Sequence, residues 1–254
     1  MTTSSQTQTF RLEPMTLIDF AEILAPRNRR GGDLCTAPLE LCWPDSGSDD
    51  EVYRRLEYST RQQKKFFTTD PTSHFVKVVT PDGSEIACIG RWNYFPHGYD
   101  FVTHHVVSVT EFVPDGARAP EGLFRLELYR DIVEKMMGQR REWMPKGPVW
   151  ALMAMVTRKC FRRKGAASLL VRWGVEQARR DGVPACLEAS AAGKPVYEAC
   201  GFRQVGELVP FDMRPYGTDL VFHIAKMAWC PETSEGSREV VRTDSVRLGG
   251  TMSS

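Results

Sequence analysis

The chain's clearest capacity for chemistry lies between Leu152 and Leu170. Leu152, Met153, Ala154, Met155, Val156 and Thr157 form an apolar, strand-like run, Arg158 to Lys164 a basic turn, and Gly165, Ala166 and Ala167 the opening of a helical pattern. A strand that feeds through a short turn into a helix gathers free backbone N–H groups and the positive end of the helix dipole at one spot, which suits a phosphate. The candidate donors are the N–H groups of Arg163 through Ser168. Gly165 allows close approach, and Arg162, Arg163 and Lys164 add positive charge. Cys160 lies in the same turn, where cations would stabilise a thiolate; a small residue at a loop position is the blander reading. The seven cysteines, Cys35, Cys42, Cys88, Cys160, Cys186, Cys200 and Cys230, include no C-x-x-C pair. Reduced thiols are expected, with neither a disulfide framework nor a metal site.

The wording of the turn narrows the ligand. Arg162-Arg163-Lys164-Gly165-Ala166-Ala167 fits the pattern Q/R-x-x-G-x-G/A, and Tyr197-Glu198-Ala199-Cys200-Gly201-Phe202 fits Y-x-x-x-G-F downstream of it. In that order, after a strand, the two motifs resemble the GNAT superfamily of acyl-CoA-dependent N-acetyltransferases. Leu187 to Gly193 resembles the form found in many fungal members. The resemblance runs from Phe10 to Trp229 and is densest from Val149 to Phe202. It implies acetyl-CoA as cofactor, with its pyrophosphate on the turn and its pantetheine arm along the strand edge at Met155, Val156 and Thr157. It implies that Tyr197 lies near the cofactor sulfur as a proton donor, and that Ser190 stands where relatives often carry a cofactor-contacting asparagine. Lys159 departs from the family, many members having proline there. The strand from Leu152 to Thr157 lacks the acid or histidine that some relatives use as a base, so the candidates are Glu188 on the next strand and, more remotely, His104 or His105. The implied activity is direct acetyl transfer to a primary amine of a small molecule. Two other readings stay open: a non-catalytic acyl-CoA-binding regulator, and acetylation of a protein N-terminus or lysine.

Composition limits the alternatives. At 254 residues, 42% hydrophobic and 26% charged, the chain can bury a real core. A net charge of +1 argues against a nucleic-acid partner. No apolar run is long enough to cross a bilayer and no secretory signal is visible, so a cytoplasmic protein is expected.

The elements that must position these residues can be read in order. Phe10–Pro14 reads as a strand and Asp19–Leu24 as a helix burying Ile18, Phe20, Ile23 and Leu24. Residues 26–50, rich in Gly, Pro and Ser, read as a loop whose Arg27, Arg29 and Arg30 are solvated. A helix should follow from Asp49 and Asp50 through Phe67, with Val52 and Leu56 inward. Phe75–Val79 and Ile86–Trp92 around Pro81-Asp82-Gly83 read as a hairpin. Residues 95–120 read as an extra strand or a lid. Glu121–Met137 reads as a helix, because Phe124, Leu128, Ile132 and Met136 recur every four residues. Val149 opens the central strand, and its helix runs to Arg180, stopped by Asp181-Gly182. Then come a strand at Ala185–Ala189, a short helix at Tyr197, and a closing pair at 205–213 and 220–229. The expected fold is one mixed α/β domain over residues 10–230, a mostly antiparallel sheet of about seven strands flanked by helices. Polar tails, too poor in apolar residues to order, are expected at 1–9 and 231–254.

Overall fold

The computed structural model describes residues 10–25, 42, 48–100, 125–217 and 219–231, and the backbone alone at 49, 51, 52, 55 and 137. The readings made above for the two tails, for most of 26–50, and for 101–124 with Phe124, His104 and His105 lie outside the described residues. The elements are β1 (Arg11–Pro14), α1 (Leu17–Ile23), α2 (Asp49–Thr69), β2 (Ser73–Val79), β3 (Ile86–Phe95), α3 (Leu126–Trp143) and β4 (Val149–Thr157). They continue with α4 (Ala166–Asp181), β5 (Ala185–Ser190), α5 (Lys194–Ala199), β6 (Arg203–Gln204), β7 (Val209–Asp212) and β8 (Val221–Trp229).

The strands form one mixed sheet in the order β1-β2-β3-β4-β5-β8-β6, with β7 also paired to β8. Only β4 and β5 run parallel. A parallel pair needs a crossover, and α4 supplies it. The inner stripe of α4, Leu170, Val171, Val175 and Ala178, packs with Val78, Trp92, Trp150, Leu187 and Met227 on one face of the sheet. The contact is close because position 174 has no side chain: a Cβ there would stand 2.1 Å from the Trp92 ring. On the other face, Phe20 and Ile23 of α1 meet Leu56 and Phe75, while Leu128, Tyr129, Ile132 and Val133 of α3 meet Val209, Phe211 and Ile224.

The expected mixed α/β fold is the one observed, with local corrections. The first helix starts at Leu17, because the Asp19 carboxylate turns back to accept the Thr16 N–H at 2.7 Å. Ile18 is then 80% exposed rather than buried, since it lies two residues from Phe20, roughly half a turn around the helix. The sheet has eight strands: of the run at 205–213 only Val209–Asp212 is strand (β7), and a two-residue strand, β6, precedes the run, with Gly206 at φ +64° between the two. Helix α3 continues six residues beyond Met137. Among the described residues no helix is long and apolar enough to cross a membrane.

Candidate active site

The centre of the sheet is parted. Strand β4 pairs with β3 from Val149 to Thr157, yet pairs with β5 only at Trp150↔Ala185, Ala151↔Cys186 and Leu152↔Leu187. Beyond Leu152 the edge facing β5 is open. A bulge decides which peptides line that edge. Trp92 lies opposite Leu152 and Arg91 opposite Ala154, so Met153 is an extra residue in β4. Before it, the Trp150 N–H points toward β5, donating to the Pro184 carbonyl at 3.0 Å; after it, the Arg158 N–H points toward β3, donating to Ala87 at 3.0 Å. Strict alternation would have sent both the same way. The bulge therefore turns the peptides of Met155 and Thr157 to the open edge and that of Val156 to β3, which removes Val156 as a backbone partner for anything in the gap. It also sets the side chains: Trp150 and Leu152, then Met155, belong to the cluster under α4.

The open edge runs directly into the basic turn. The Arg162 Nε–H donates to the Thr157 carbonyl at 3.2 Å, tying the turn to the end of the strand. Arg163 (φ +60°) and Gly165 (φ +94°) both lie in the left-handed region, which curls the turn around its own N–H groups. The first bond of α4 is from the Leu169 N–H to the Gly165 carbonyl, so the N–H groups of Arg163, Lys164, Gly165, Ala166, Ala167 and Ser168 have no backbone acceptor among the described residues. Residues 162–165 are exposed, and a Cβ on Gly165 would meet nothing within 4 Å. Arg158 is engaged elsewhere, with Glu85 at 3.2 Å. The result is an open, cationic concavity of amide donors, a phosphate site by chemistry.

Tyr197 stands beside both features. It is 7% exposed, in the same cluster as Ala166, Leu170, Cys88 and the partly buried Met155, with Phe202 edge-on at 6.2 Å between ring centroids. Its hydroxyl has no hydrogen-bond partner among the described residues. Burial, with the Cys88 and Cys200 thiols nearby, pushes the phenol above its ordinary value, so it stays protonated throughout the neutral range. Burial also pushes the Cys88 thiol up to about 12, against a hydrogen bond from Thr157, so Cys88 is an inert thiol rather than a nucleophile. At the end of β5, the Ser190 Oγ accepts the Gly193 N–H at 3.2 Å and shapes the turn into α5. Its own hydroxyl proton remains available.

Glu188 is the first residue of β5 past the last bridge to β4, on the face opposite α4, and it is not free. The Arg140 Nε–H donates to its Oε1 at 2.9 Å and the Arg140 Nη2 to its Oε2, with 9% and 10% of the two side chains exposed. Burial works against the guanidinium charge, but Glu188 beside it and the hydrogen bonds outweigh that and hold the Arg140 pKa above its usual value. Both carboxylate oxygens are therefore occupied by the guanidinium. Sequence reasoning missed this partner, although the signal was present: Arg140 is the next member of the every-fourth series Leu128, Ile132, Met136. The bulge left no such signal, because residues 149–156 contain no polar residue to betray alternation.

The model of the acetyltransferase (GNAT) family matches residues 39–202, more than half of the chain. Among solved structures, arylalkylamine N-acetyltransferase 2 of Aedes aegypti superposes with a TM-score of 0.56 at 13% identity, over 89% of this chain and 100% of that one. A Corynebacterium glutamicum structure of histone acetyltransferase HPA2 and related acetyltransferase gives 0.52 at 16%, over 90% and 99%. A mosquito arylalkylamine N-acetyltransferase-like protein gives 0.51 at 9%, over 87% and 99%. At such identities the likeness concerns the fold.

Proposed function

The chain belongs to the GNAT acetyltransferase family, and on that footing we propose that it transfers an acetyl group from acetyl-CoA directly to a primary amine of a small molecule. The observation that carries this reading is the free edge of β4, parted from β5 beyond Leu152 and leading straight into a turn of uncommitted amides. The residues present suit the cofactor. Its peptide-like pantetheine arm can lie against the peptides of Met155 and Thr157 as an added strand would. The amides of Arg163 through Ser168 can hold the pyrophosphate, the open space at Gly165 admits it closely, and Arg162, Arg163 and Lys164 offer charge to the remaining phosphate. Ser190 can donate its hydroxyl proton to the same ligand.

When bound, acetyl-CoA supplies a thioester whose acyl carbon a neutral amine can attack. Tyr197 is the proton donor to the departing sulfur: it is buried, unpartnered and held neutral, so its proton is delivered rather than lost. Glu188 is reassigned from base to anchor, fixing α3 against β5 through Arg140. The proton of the attacking amine leaves through water, and water returns one to the Tyr197 phenolate, which closes the cycle.

Acetyl-CoA-dependent thiol release across a panel of small amines, with the N-acetyl product identified by mass, tests the proposal. Thiol release without an acetylated amine would sink it. The sealing of Glu188 favours a second reading, acyl-CoA binding without turnover; it expects tight binding and no thiol release even when peptides with free N-termini and lysines join the panel. A fungal affinity rests on Leu187 to Gly193 alone, and a cytoplasmic site of action on the scattered cysteines; cell fractionation checks the latter.

A further inference from the structure

The end of α4 farthest from the basic turn carries a second set of cations. A groove of about 830 Å3 runs between that end of the helix, β6 and the last residues of β8, with Arg179, Arg203, Trp229 and Pro231 in its lining. Its size falls among small-molecule pockets, roughly 300–1,000 Å3. At about 1.5 Å of rise per residue, α4 puts roughly 24 Å between this groove and the amides at the helix head. Arg179 and Arg203 are exposed and form no ion pair among the described residues, and no carboxylate lines the groove beside them. The neighbouring acid, Asp181, is already engaged: it accepts the Trp150 indole N–H at 2.8 Å and the Arg180 Nε–H at 3.1 Å. The helix end is also closed to its own cations, because the Gly182 and Val183 N–H groups donate back to the Arg179 and Ala178 carbonyls at 3.2 and 3.0 Å.

An aromatic face stands beside these charges. The Arg179 guanidinium lies over the Trp229 ring, 5.4 Å from its centroid. Gly201, at φ +92°, leaves room for the indole edge, since a Cβ there would stand 3.2 Å from the Trp229 Cδ1. Arg203 lies opposite Ala228, one residue before Trp229, so it reaches the groove from the other face of the sheet edge. A half-buried indole with one cation over it and a second across the strand matches a flat ring that carries an anion. We propose that this groove binds a planar organic anion, an aromatic ring or base bearing a phosphate or a carboxylate, at a site separate from that of acetyl-CoA. The ring packs on Trp229 and Pro231, and the anionic group lies toward Arg179 and Arg203. Neither arginine belongs to the acetyl-transfer site, and the inference does not depend on that reading.

The test is calorimetric titration of the full chain, with and without saturating CoA, using AMP as the phosphate probe and indole-3-acetate as the carboxylate probe. Saturable binding of at least one probe, with a Kd below about 1 mM and unchanged by CoA, is expected. Adenosine, inorganic phosphate and indole each lack half of the recognised chemistry and should bind at least about tenfold more weakly. Arg203→Gln should weaken the probe at least about tenfold, and Arg179→Gln/Arg203→Gln should abolish its binding; both positions are exposed, so the fold is kept. Which probe binds tells a phosphate ligand from a carboxylate one. No binding of either probe at about 10 mM, displacement of the probe by CoA, or an affinity unmoved in the double variant would overturn the proposal and leave acetyl transfer untouched.

Discussion

Replacing Tyr197 by phenylalanine separates a chemical role from a structural one. The hydroxyl of Tyr197 has no hydrogen-bond partner among the described residues, while its ring is 93% buried against Phe202 and the cluster under α4 (7% exposed). Deleting one unpartnered oxygen leaves the packing intact and strands no other group, so stability should change by less than about 0.5 kcal/mol. Acetyl-CoA affinity should be equally indifferent, since the amides and the strand edge hold the ligand. A lost proton donor, in contrast, costs on the order of 100-fold or more in the chemical step, about 2.7 kcal/mol of transition-state stabilisation at the lower end. The assay is single-turnover thiol release at saturating acetyl-CoA, which keeps product release from masking the effect, alongside the thermal midpoint and a CoA titration. Because burial raises this phenol, the wild-type rate should show no loss on the basic side attributable to Tyr197 through pH 9. A variant rate within threefold of wild type would refute the argument and return Tyr197 to the core.

Three further outcomes follow from the packing. Arg140→Met leaves the Glu188 carboxylate 10% exposed and unpaired, at a cost of about 3–5 kcal/mol in denaturant unfolding, and the double variant Arg140→Met/Glu188→Met should recover most of it; a single variant costing under about 1 kcal/mol would mean that the pair does not anchor α3. Gly174→Ala drives a Cβ to within 2.1 Å of the fully buried Trp92 ring and should destabilise by about 1–3 kcal/mol; an unchanged thermal midpoint would show that α4 can move away from the sheet. His74 is exposed beside the Trp150 ring, with ring centroids 4.8 Å apart, and partial desolvation there lowers its pKa from 6.5 despite the opposing pull of Asp181 and Asp70. A base depressed in the folded state contributes stability above the unfolded value that is lost as pH falls below it, so the midpoint should drop from pH 6.5 downward and His74→Phe should flatten that part of the curve; an identical slope in the variant would assign the loss to other groups.

Much of this arrangement is legible in the residues themselves. The every-fourth apolar series foretells α3, Gly182 at φ +69° closes α4 where Asp181-Gly182 announces a stop, and the glycine in the basic turn adopts the left-handed conformation that its position suggests. What stays hidden has a common cause: it depends on partners distant in sequence or on alternation that uniform apolar strands conceal. The bulge at Met153 flips the facing of every peptide after it, but Leu152 to Val156 look the same on either face, so Val156 cannot be told from Met155 without the register. The pairing of Glu188 with Arg140 spans 48 residues and becomes visible only when α3 is laid across β5. Ile18 fails differently, since a seven-residue helix is too short for its pattern to outvote the capping that fixes its start.

The central claim is that the open edge of β4 and the amides at the head of α4 form one acetyl-CoA site, and calorimetric titration of acetyl-CoA into the wild type and into Gly165→Val tests it most directly. The valine would fill the space that the phosphates need and would strain a backbone held at φ +94°, at a cost of about 1–3 kcal/mol that the thermal midpoint reports separately. Saturable binding to the wild type is expected, with free CoA bound comparably, and at least a hundredfold weaker binding to a variant that remains folded. Equal affinity in the two proteins, or no binding to the wild type at millimolar acetyl-CoA, would contradict it.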